Sequence, residues 1–373
     1  MATTFSASDH AYMAHALRLA ELGLYTTQPN PRVGCVIAHG DEVVGTGWHR
    51  CAGEAHAEVF ALREAGERAR GATAYVTLEP CAHFGKTPPC ADALIAAGVA
   101  RVVAACEDPN PRVAGGGFSA LRAARIAVET GLMRDAAREL NRGFMSRLER
   151  GRPWLRVKLA MSLDGRTALA SGESKWITGD ASRADVQRWR ARSSAIMTGS
   201  GTVHADNPRL TVRFHSPPTD DVEGERFKPL RVMLDRHLRT PGGAHVLDGS
   251  APALVFHARD AKPVQGGFER AECIAVGAHA NGLDLSAVLQ ELARRGVNEL
   301  QVEAGPTLCG NLFAQDLVDE LLLYVAPILL GDSGRPLLKL PALEKIQAAR
   351  RLRMIDQSRI GDDLRLLYLC DHP

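Results

Sequence analysis

One short pattern constrains this chain more than any other: His56-Ala57-Glu58, followed downstream by Pro80-Cys81 and then by Cys90. An imidazole and two thiolates are ligands that Zn²⁺ prefers, and three such ligands leave the fourth tetrahedral position free for water. A zinc ion with an open position is typical of catalysis rather than of structural support. The pattern therefore predicts a fold that brings these separated segments together around a catalytic metal.

Glu58 lies two residues after His56, near the predicted start of a helix, VFALREAGERA, whose apolar residues have helical spacing. At such a start both side chains can reach one cavity, so Glu58 can move protons without binding the metal. H-x-E followed by P-C and a second cysteine is the signature of zinc-dependent base deaminases. Two residues separate the cysteines in that signature, whereas eight separate them here.

Cys90 opens a second predicted helix directly after Pro88-Pro89, and a helix N-terminus stabilises the thiolate that zinc requires. In the alternative interpretation, Cys81 and Cys90 are ordinary buried cysteines, which are common. The combined pattern favours the metal site. His83 competes as a ligand, and we expect it on the substrate side of the pocket. A structural zinc site would need a fourth protein ligand and would not need Glu58.

The length of 373 residues is typical of two domains of ordinary size. A formal net charge of +2 without a basic block argues against a dedicated nucleic-acid binder, and no apolar run approaches membrane-spanning length. The N-terminal segment lacks the charged start and apolar core of a signal peptide. Eight cysteines favour reduced thiols and metal ligands, so the expected compartment is the cytoplasm.

In the first half, short apolar segments alternate with helical ones, which is typical of an α/β layered domain with a largely buried sheet. Ser8 is the predicted N-cap of the first helix, and His39-Gly40-Asp41 indicates a hairpin. Besides the helix after His56, the predicted helices are Asp9–Leu22, Ala91–Ala97, Phe118–Ala124 and Arg134–Leu148, and the strands are Val33–Ile37, Val43–Thr46, Ala74–Leu78, Arg101–Ala105 and Ile126–Glu129. The polar segment Glu149–Pro153 predicts the end of a first domain over residues 1–150.

The second half, residues 154–373, starts a new series of elements. The predicted strands are Trp154–Ala160, Ala195–Thr198, Leu230–Leu234, Ala253–Phe256, Glu299–Val302, Glu320–Val325 and Leu364–Leu369, and the predicted helices are Asp180–Ala191 and Leu285–Arg295. The polar stretch from His215 to Lys228 is predicted to be an exposed loop.

Two glycine turns, Gly199-Ser200-Gly201 and Glu303-Ala304-Gly305-Pro306, each follow an apolar strand and open a helical segment. At such places α/β sheets bind phosphate-bearing ligands, although glycine also serves in ordinary tight turns. Arg190 and Arg213 are candidate phosphate ligands, since a guanidinium can hold phosphate through two parallel hydrogen bonds. The alternative is that these arginines are simply exposed, as most are.

The chain from about Asp9 onward resembles the bifunctional riboflavin-biosynthesis enzymes, in which a pyrimidine deaminase is fused to a reductase. In the first half the resemblance rests on Asn30-Pro31-x-Val33-Gly34, Gly47-Trp48-His49, His56-Ala57-Glu58, the segment from Glu79 to Cys90 that ends in TPPC, and Asp108-Pro109-Asn110-Pro111. In the second half it rests on Lys158-x-Ala160-x-Ser162-Leu163-Asp164-Gly165, Ser174-x-Trp176-Ile177-Thr178, Asp206-Asn207-Pro208-x-Leu210-Thr211-x-Arg213 and Glu303-Ala304-Gly305-Pro306-Thr307-Leu308. The long segment between the cysteines distinguishes this family from cytidine deaminases.

The resemblance implies an N-terminal cytidine-deaminase-like α/β/α layered domain and a C-terminal dihydrofolate-reductase-like α/β domain. It implies zinc-dependent hydrolysis of the 2-amino group of a diaminopyrimidinone that carries a ribosylamino 5′-phosphate, and NADPH-dependent reduction of the ribosyl side chain to ribityl. The expected partner is thus a small phosphorylated pyrimidine, and we expect a homo-oligomer, either a dimer or a tetramer. The alternative is a zinc deaminase of another nucleotide or base with a non-catalytic C-terminal binding module.

The resemblance also assigns roles to single residues. His56, Cys81 and Cys90 hold zinc, and Glu58 is the proton shuttle. The cofactor positions are Ala160, Trp176, Thr202, Asp206 and Gly305. The substrate positions are Asn30, His49 and Lys86 in the first half, and Ser174, Arg190, Leu210, Arg213 and Glu303 in the second. In one departure, Arg236 follows Asp235, where the family often has a small polar residue. A cation there could contact the 2′-phosphate of the cofactor or could point to solvent.

Overall fold

The structure is a computed structural model that describes residues 4–82, 88–111, 114–213, 228–263, 266–280 and 282–371. The chain forms two compact units, Met1–Arg150 and Gly151–Pro373. Within these described ranges, no helix combines the length and the apolar character that crossing a bilayer requires.

The first unit alternates helices with short strands. Its elements in chain order are α1 (Ala7–Glu21), β1 (Gly34–His39), β2 (Glu42–Trp48), α2 (Ala57–Ala65), β3 (Thr73–Val76), α3 (Cys90–Ala97), β4 (Arg101–Ala104), α4 (Gly116–Ala123), β5 (Ala127–Thr130), α5 (Arg134–Leu140) and α6 (Arg142–Arg150). The strands form one sheet in the order β2-β1-β3-β4-β5. β1 is antiparallel to both of its neighbours, whereas β3, β4 and β5 run parallel.

Alternate residues of β1 face two separate apolar cores, as the two-residue period of a strand requires. Cys35 and Ile37 pack in one core with alanines of α2, and Val36 packs in the other core with Met13 of α1. The sheet is therefore buried between two helical layers, and the predicted α/β layered architecture is confirmed. Because β3, β4 and β5 are parallel, the loops at their carboxyl ends gather at one edge of this sheet.

Two local predictions for the first unit are wrong and one is confirmed. The N-cap of α1 is Ser6 rather than Ser8, because Ser6 and Asp9 form a reciprocal capping box. The predicted helix Arg134–Leu148 is broken at Asn141, whose side-chain amide forms two 2.8 Å hydrogen bonds with the backbone N–H and carbonyl of Arg32. The hairpin after His39 is confirmed, since β1 and β2 pair across that turn.

The second unit is built on a larger sheet. Its elements in chain order are β6 (Trp154–Ser162), β7 (Arg166–Ala168), α7 (Asp180–Ala191), β8 (Ala195–Gly199), α8 (Ser200–Asp206), β9 (Leu230–Leu234), β10 (Ala253–Ala258), β11 (Glu272–Val276), β12 (Ala278–His279), β13 (Gly282–Leu283), α9 (Leu285–Arg294), β14 (Glu299–Val302), α10 (Pro306–Ala314), β15 (Glu320–Ala326), β16 (Arg335–Pro336), β17 (Arg353–Ile360) and β18 (Asp363–Leu369). The main sheet has the order β11-β10-β9-β8-β14-β6-β15-β18-β17.

In this sheet the run from β11 to β15 is parallel, and β18 and β17 are antiparallel additions at one edge. The carboxyl ends of β8 and β14 therefore lie side by side, so that the two glycine turns which follow them are neighbours. Ligands of open parallel sheets bind at such an edge. The loop predicted from His215 to Lys228 lies outside the described residues, apart from Lys228.

Candidate active sites

The three predicted zinc ligands meet in the first unit. Nδ1 of His56 lies 3.3 Å from Sγ of Cys90 and 3.6 Å from Sγ of Cys81. With Zn–N bonds of about 2.0–2.1 Å and Zn–S bonds of about 2.3 Å, tetrahedral geometry places nitrogen and sulfur about 3.6 Å apart. All three ligand atoms lie within 4.8 Å of one another, so their spacing fits a zinc ion.

Local structure brings each ligand to this point. His56 is the N-cap of α2, Cys90 is the first residue of α3, and Cys81 lies in the loop that follows β3. The backbone N–H of Cys90 donates to Sγ of Cys81 at 3.4 Å, and the N–H of Ala91 donates to the carbonyl of Cys81 at 3.1 Å. The first-turn N–H groups of α3, which have no partner within the helix, thus hold the Cys81 loop against it.

Without a bound metal, the two thiols differ in their pKa. A hydrogen bond from Cys90, together with His56, lowers the pKa of Cys81 to about 4 despite burial. The pKa of Cys90 is raised by its hydrogen bond with Cys81 and by burial. A coordinating metal deprotonates a thiol outright, so Zn²⁺ would hold both sulfurs as thiolates.

Glu58 stands in the first turn of α2 and is 3% exposed. Its Oε2 is buried and has no hydrogen-bond partner among the described residues. Burial raises the pKa of this carboxyl group, although the neighbouring His56 opposes that rise. A buried carboxyl group with a raised pKa and a free oxygen is suited to accept and return a proton.

Asn30 and His49, two of the predicted substrate residues, form a hydrogen-bonded pair. Nδ1 of the buried His49 lies 3.1 Å from the carbonyl of Ala55, which can only accept, so this nitrogen carries the proton. In the neutral ring, Nε2 then accepts from Nδ2 of Asn30 at 3.1 Å. The amide of Asn30 is thereby fixed, and its oxygen stays available. Lys86, the third predicted substrate residue, and His83 lie outside the described residues.

Glu79 is a positioning residue to which the sequence analysis gave no role. Its buried carboxylate accepts four backbone N–H groups, from Asp108 at 3.3 Å, Gly115 at 3.0 Å, Gly117 at 3.0 Å and Phe118 at 3.3 Å. A side chain at Gly117 would collide with the carbonyl oxygen of Pro80. Two features of the sequence indicated this close contact. They are the acidic residue before Pro80-Cys81 and the three consecutive glycines Gly115-Gly116-Gly117.

The second unit contains a cavity of about 500 Å³. All ten residues that were predicted to contact cofactor or substrate in this half line it. They are Ala160, Ser174, Trp176, Arg190, Thr202, Asp206, Leu210, Arg213, Glu303 and Gly305. They come from widely separated segments, so the topology of the sheet is what brings them together.

Arg190 of α7 and Glu303, which follows β14, form a two-pronged ion pair in this cavity. Nε and Nη2 of Arg190 donate to the two carboxylate oxygens at 2.6 and 2.7 Å, and Nη1 donates to the carbonyl of Thr211 at 2.9 Å. Burial alone would raise the pKa of Glu303, but Arg190 overcomes it and holds that pKa at about 2. The guanidinium of Arg190 is thus committed to protein acceptors.

Arg213 contrasts with Arg190. Its backbone N–H donates to Oε1 of Gln187 at 2.9 Å, while its guanidinium has no partner side chain within the described ranges. Burial and the nearby cations Arg190 and Arg209 lower its pKa. Because positive charges cluster at this wall of the cavity, an anion that binds there is stabilised.

Lys158 is a further cavity residue without an earlier role. It is a half-buried cation within the otherwise largely buried strand β6, and burial lowers its pKa although Glu303 opposes the change. Its ammonium lies 5.6 Å from the ring of Tyr324. A charged side chain within a predicted buried strand was the available signal.

A second cavity, of about 510 Å³, adjoins the first. The two share a wall formed by Thr202, Asp206, Ala304, Gly305, Pro306 and Arg335. A Cβ atom at Gly201 or at Gly305 would meet no atom of the described residues within 4 Å, so these backbones face open space there. Two neighbouring cavities with a common wall suit two ligands that must meet.

Comparisons with known proteins give a consistent result. The RibD C-terminal domain model matches residues 153–366, and the cytidine and deoxycytidylate deaminase zinc-binding region matches residues 6–106. The chain is 48% identical to the riboflavin biosynthesis protein RibD of Escherichia coli, over 95% of this chain and 98% of the relative. The solved structure of Acinetobacter baumannii RibD, form 1, has a TM-score of 0.89 at 44% identity, over 98% of this chain and 99% of that chain. The chain belongs to the RibD family.

Membership in the RibD family confirms the predicted fold class and the predicted activity. The chain is a bifunctional deaminase and reductase of riboflavin biosynthesis, with zinc and NADPH as its cofactors. A solved member from Thermotoga maritima is called a diaminohydroxyphosphoribosylaminopyrimidine deaminase/5-amino-6-(5-phosphoribosylamino)uracil reductase. It has a TM-score of 0.84 at 29% identity, over 98% of this chain and 99% of that chain. The alternative of a non-catalytic second half is not favoured.

The residues of this RibD-family chain fit both cofactors. One imidazole and two thiol sulfurs at tetrahedral spacing suit zinc, and the unpartnered Oε2 of Glu58 is buried beside them. The open space in front of Gly201 and Gly305 suits a dinucleotide, whose phosphates need close approach to backbone.

Proposed function

We propose that the unit of residues 1–150 deaminates, and the unit of residues 154–373 then reduces, one phosphorylated pyrimidine. The substrate is a diaminopyrimidinone with a ribosylamino 5′-phosphate, and the product carries a ribityl chain. The observation that carries the proposal is that each unit gathers side chains suited to one of the two reactions: a zinc-ligand cluster beside Glu58 in the first and two adjoining cavities in the second. The name of the Thermotoga maritima relative, which joins the same two activities, supports it.

In the deaminase site, His56, Cys81 and Cys90 would hold zinc, which supplies Lewis-acid activation of water. Glu58 would take a proton as water adds to the carbon that bears the amino group, and would return it as ammonia leaves. Its raised pKa, and an Oε2 that bonds to none of the described residues, support this role. The available oxygen of Asn30, fixed by His49, would accept a hydrogen bond from the pyrimidine.

In the reductase site, NADPH supplies the hydride that the anomeric carbon of the ribosyl group accepts. The chain must therefore hold the ribosyl group against the wall that the two cavities share. Arg213 would bind the 5′-phosphate, because its guanidinium has no partner among the described residues and lies among like charges. Arg190 would instead orient Glu303, since its guanidinium already donates two hydrogen bonds to that carboxylate.

The test follows both activities on one preparation, with the pathway pyrimidine and with or without NADPH. Hydrogen bonds to charged groups are worth roughly 1.5–3 kcal/mol, so Arg213→Ala should lower reductase kcat/KM by about ten- to a few hundred-fold. Arg213→Lys should recover part of that loss, because lysine keeps the charge but not the two-pronged geometry. Ammonia release should stay unchanged. A reductase of wild-type efficiency in Arg213→Ala would refute the phosphate assignment, and equal loss of both activities would indicate misfolding.

We further propose that the enzyme is a homo-oligomer, a dimer or a tetramer, and acts in the cytoplasm without binding nucleic acid. The free state of all eight cysteines supports a reducing compartment. Light scattering at several protein concentrations measures the assembly directly, and a monomer throughout would contradict the first part.

A further inference from the structure

The shared wall of the two cavities fixes the direction in which the cofactor lies. Hydride transfer requires the nicotinamide ring to touch the substrate, so the ring must sit where the cavities meet. Arg190 and Arg213 line only the first cavity, which leaves the second cavity for the rest of the dinucleotide. Its adenosine end must then lie among residues that line the second cavity alone.

One group of those residues has the composition that an adenosine 2′-phosphate needs. Leu234, Leu283 and Leu285 supply apolar contacts for a base, and Arg236 lies two residues after Leu234, just beyond the carboxyl end of β9. Arg236 and His279 line the second cavity and do not line the first. An apolar slot beside a guanidinium is suited to a flat base next to a phosphate.

Arg236 is held in place by its backbone, and none of the acidic residues that the structure describes pairs with it. Its carbonyl accepts from the N–H of Ala258 at 3.0 Å, which ties it to β10. Its Nη1 donates to the carbonyl of Ala280 at 3.3 Å, and no ion pair to it is present among the described residues. The neighbouring Asp235 turns away, since its carboxylate accepts from the N–H of Thr240 at 2.7 Å. The charge of Arg236 is thus available to a ligand.

We infer that Arg236 binds the 2′-phosphate of NADPH and makes this chain prefer NADPH to NADH. The inference rests on the reductase role proposed for the second unit. Two other cations line the second cavity. Arg335 belongs to the shared wall and is therefore near the nicotinamide. Lys339 lies beside the start of α10, where its N–H donates to the carbonyl of Pro306 at 3.1 Å.

The test compares adenosine 2′,5′-bisphosphate with adenosine 5′-phosphate as ligands of the full chain, by calorimetric titration without substrate. The wild type should bind the bisphosphate more tightly. Arg236→Ala should weaken the bisphosphate by roughly ten- to a hundred-fold and leave the monophosphate unchanged, because the lost bond is to a charged group. Arg236→Lys should retain part of the preference. The KM for NADPH should rise in parallel, while that for NADH stays constant.

Lys339→Ala is the matched control, since it removes the same charge from the same cavity and should keep the preference for the bisphosphate. A preference that survives in Arg236→Ala, or that disappears in Lys339→Ala instead, would overturn the inference. Deaminase activity and the melting temperature of each variant establish that it is folded. A wild-type chain that binds no NADPH in fluorescence titration would overturn the reductase role itself, which separates that failure from an error in the subsite.

Discussion

Removal of Arg190 should destabilise the second unit more than removal of any exposed arginine on the same helix. Arg190→Ala leaves the carboxylate of Glu303 buried and without its principal partner. The pKa of Glu303 is held at about 2, against 4.5 for a free glutamate, mainly by Arg190 with smaller contributions from Lys158 and Gln301. At about 1.4 kcal/mol per pKa unit, most of that depression corresponds to roughly 2–3 kcal/mol.

The sign of the pH dependence follows from the direction of that shift. In the wild type the pKa of Glu303 is depressed, so its contribution to the free energy of unfolding is complete above pH 4.5 and is lost as pH falls towards about 2. In Arg190→Ala, burial raises the pKa instead. The difference in stability between wild type and variant should therefore be largest near neutral pH and should shrink in acid.

Urea unfolding followed by tryptophan fluorescence measures this difference, since Trp154, Trp176 and Trp189 lie in the second unit and only Trp48 in the first. Arg188→Ala, at an exposed position of α7, is the control and should change stability by less than about 0.5 kcal/mol. Arg190→Ala combined with Glu303→Gln should recover much of the loss, because the side chain at position 303 is then neutral and needs no cation beside it. A cost below about 1 kcal/mol for Arg190→Ala, unchanged by pH, would refute the reasoning.

Two further predictions concern the first unit. Glu58→Gln should keep its zinc, which metal analysis measures, and its reductase activity should be unchanged. Its rate of ammonia release should fall by at least about a hundred-fold, because general acid–base catalysis contributes about that much or more. Loss of the metal would contradict a role confined to proton transfer. Gly117→Ala should lower the stability of this unit by roughly 1–3 kcal/mol in thermal melting, because its Cβ would collide with Pro80. Among the described residues, a Cβ at Gly116 would meet only Ala82, at 3.5 Å, so Gly116→Ala should be tolerated. Equal melting temperatures of the two variants would show that the backbone relaxes.

The sequence was most informative where one chemical requirement selects few residue types. Zinc accepts few kinds of ligand, so His56, Cys81 and Cys90 stood out although the chain separates them. Buried parallel strands such as Glu299–Val302 were also predicted from the sequence. The side chains on both faces of such a strand are either apolar or paired with other side chains of the sheet. The edge strand β17, Arg353–Ile360, was not predicted, since its exposed side chains lack an apolar period.

Contacts between distant segments were the part that the sequence did not reveal. Asn141 interrupts a helical pattern only because its amide meets the backbone of Arg32, more than a hundred residues earlier. The sequence predicts the same role for Arg190 and Arg213, and no local feature shows that one of the two forms an ion pair. The difference between them arises from Glu303, which the fold of the sheet places beside Arg190.

The wall that the two reductase cavities share has a consequence for inhibitor design. Because Thr202, Asp206 and Gly305 border both cavities, the spaces proposed for the substrate and for the nicotinamide are direct neighbours. A single molecule that joins a phosphorylated pyrimidine mimic to an adenosine mimic could therefore occupy both spaces. Once one half of such a molecule is bound, the linker holds the other half near its cavity at a high effective concentration. The affinity of the whole molecule should therefore exceed that of either half alone by a factor on the order of 10²–10⁴.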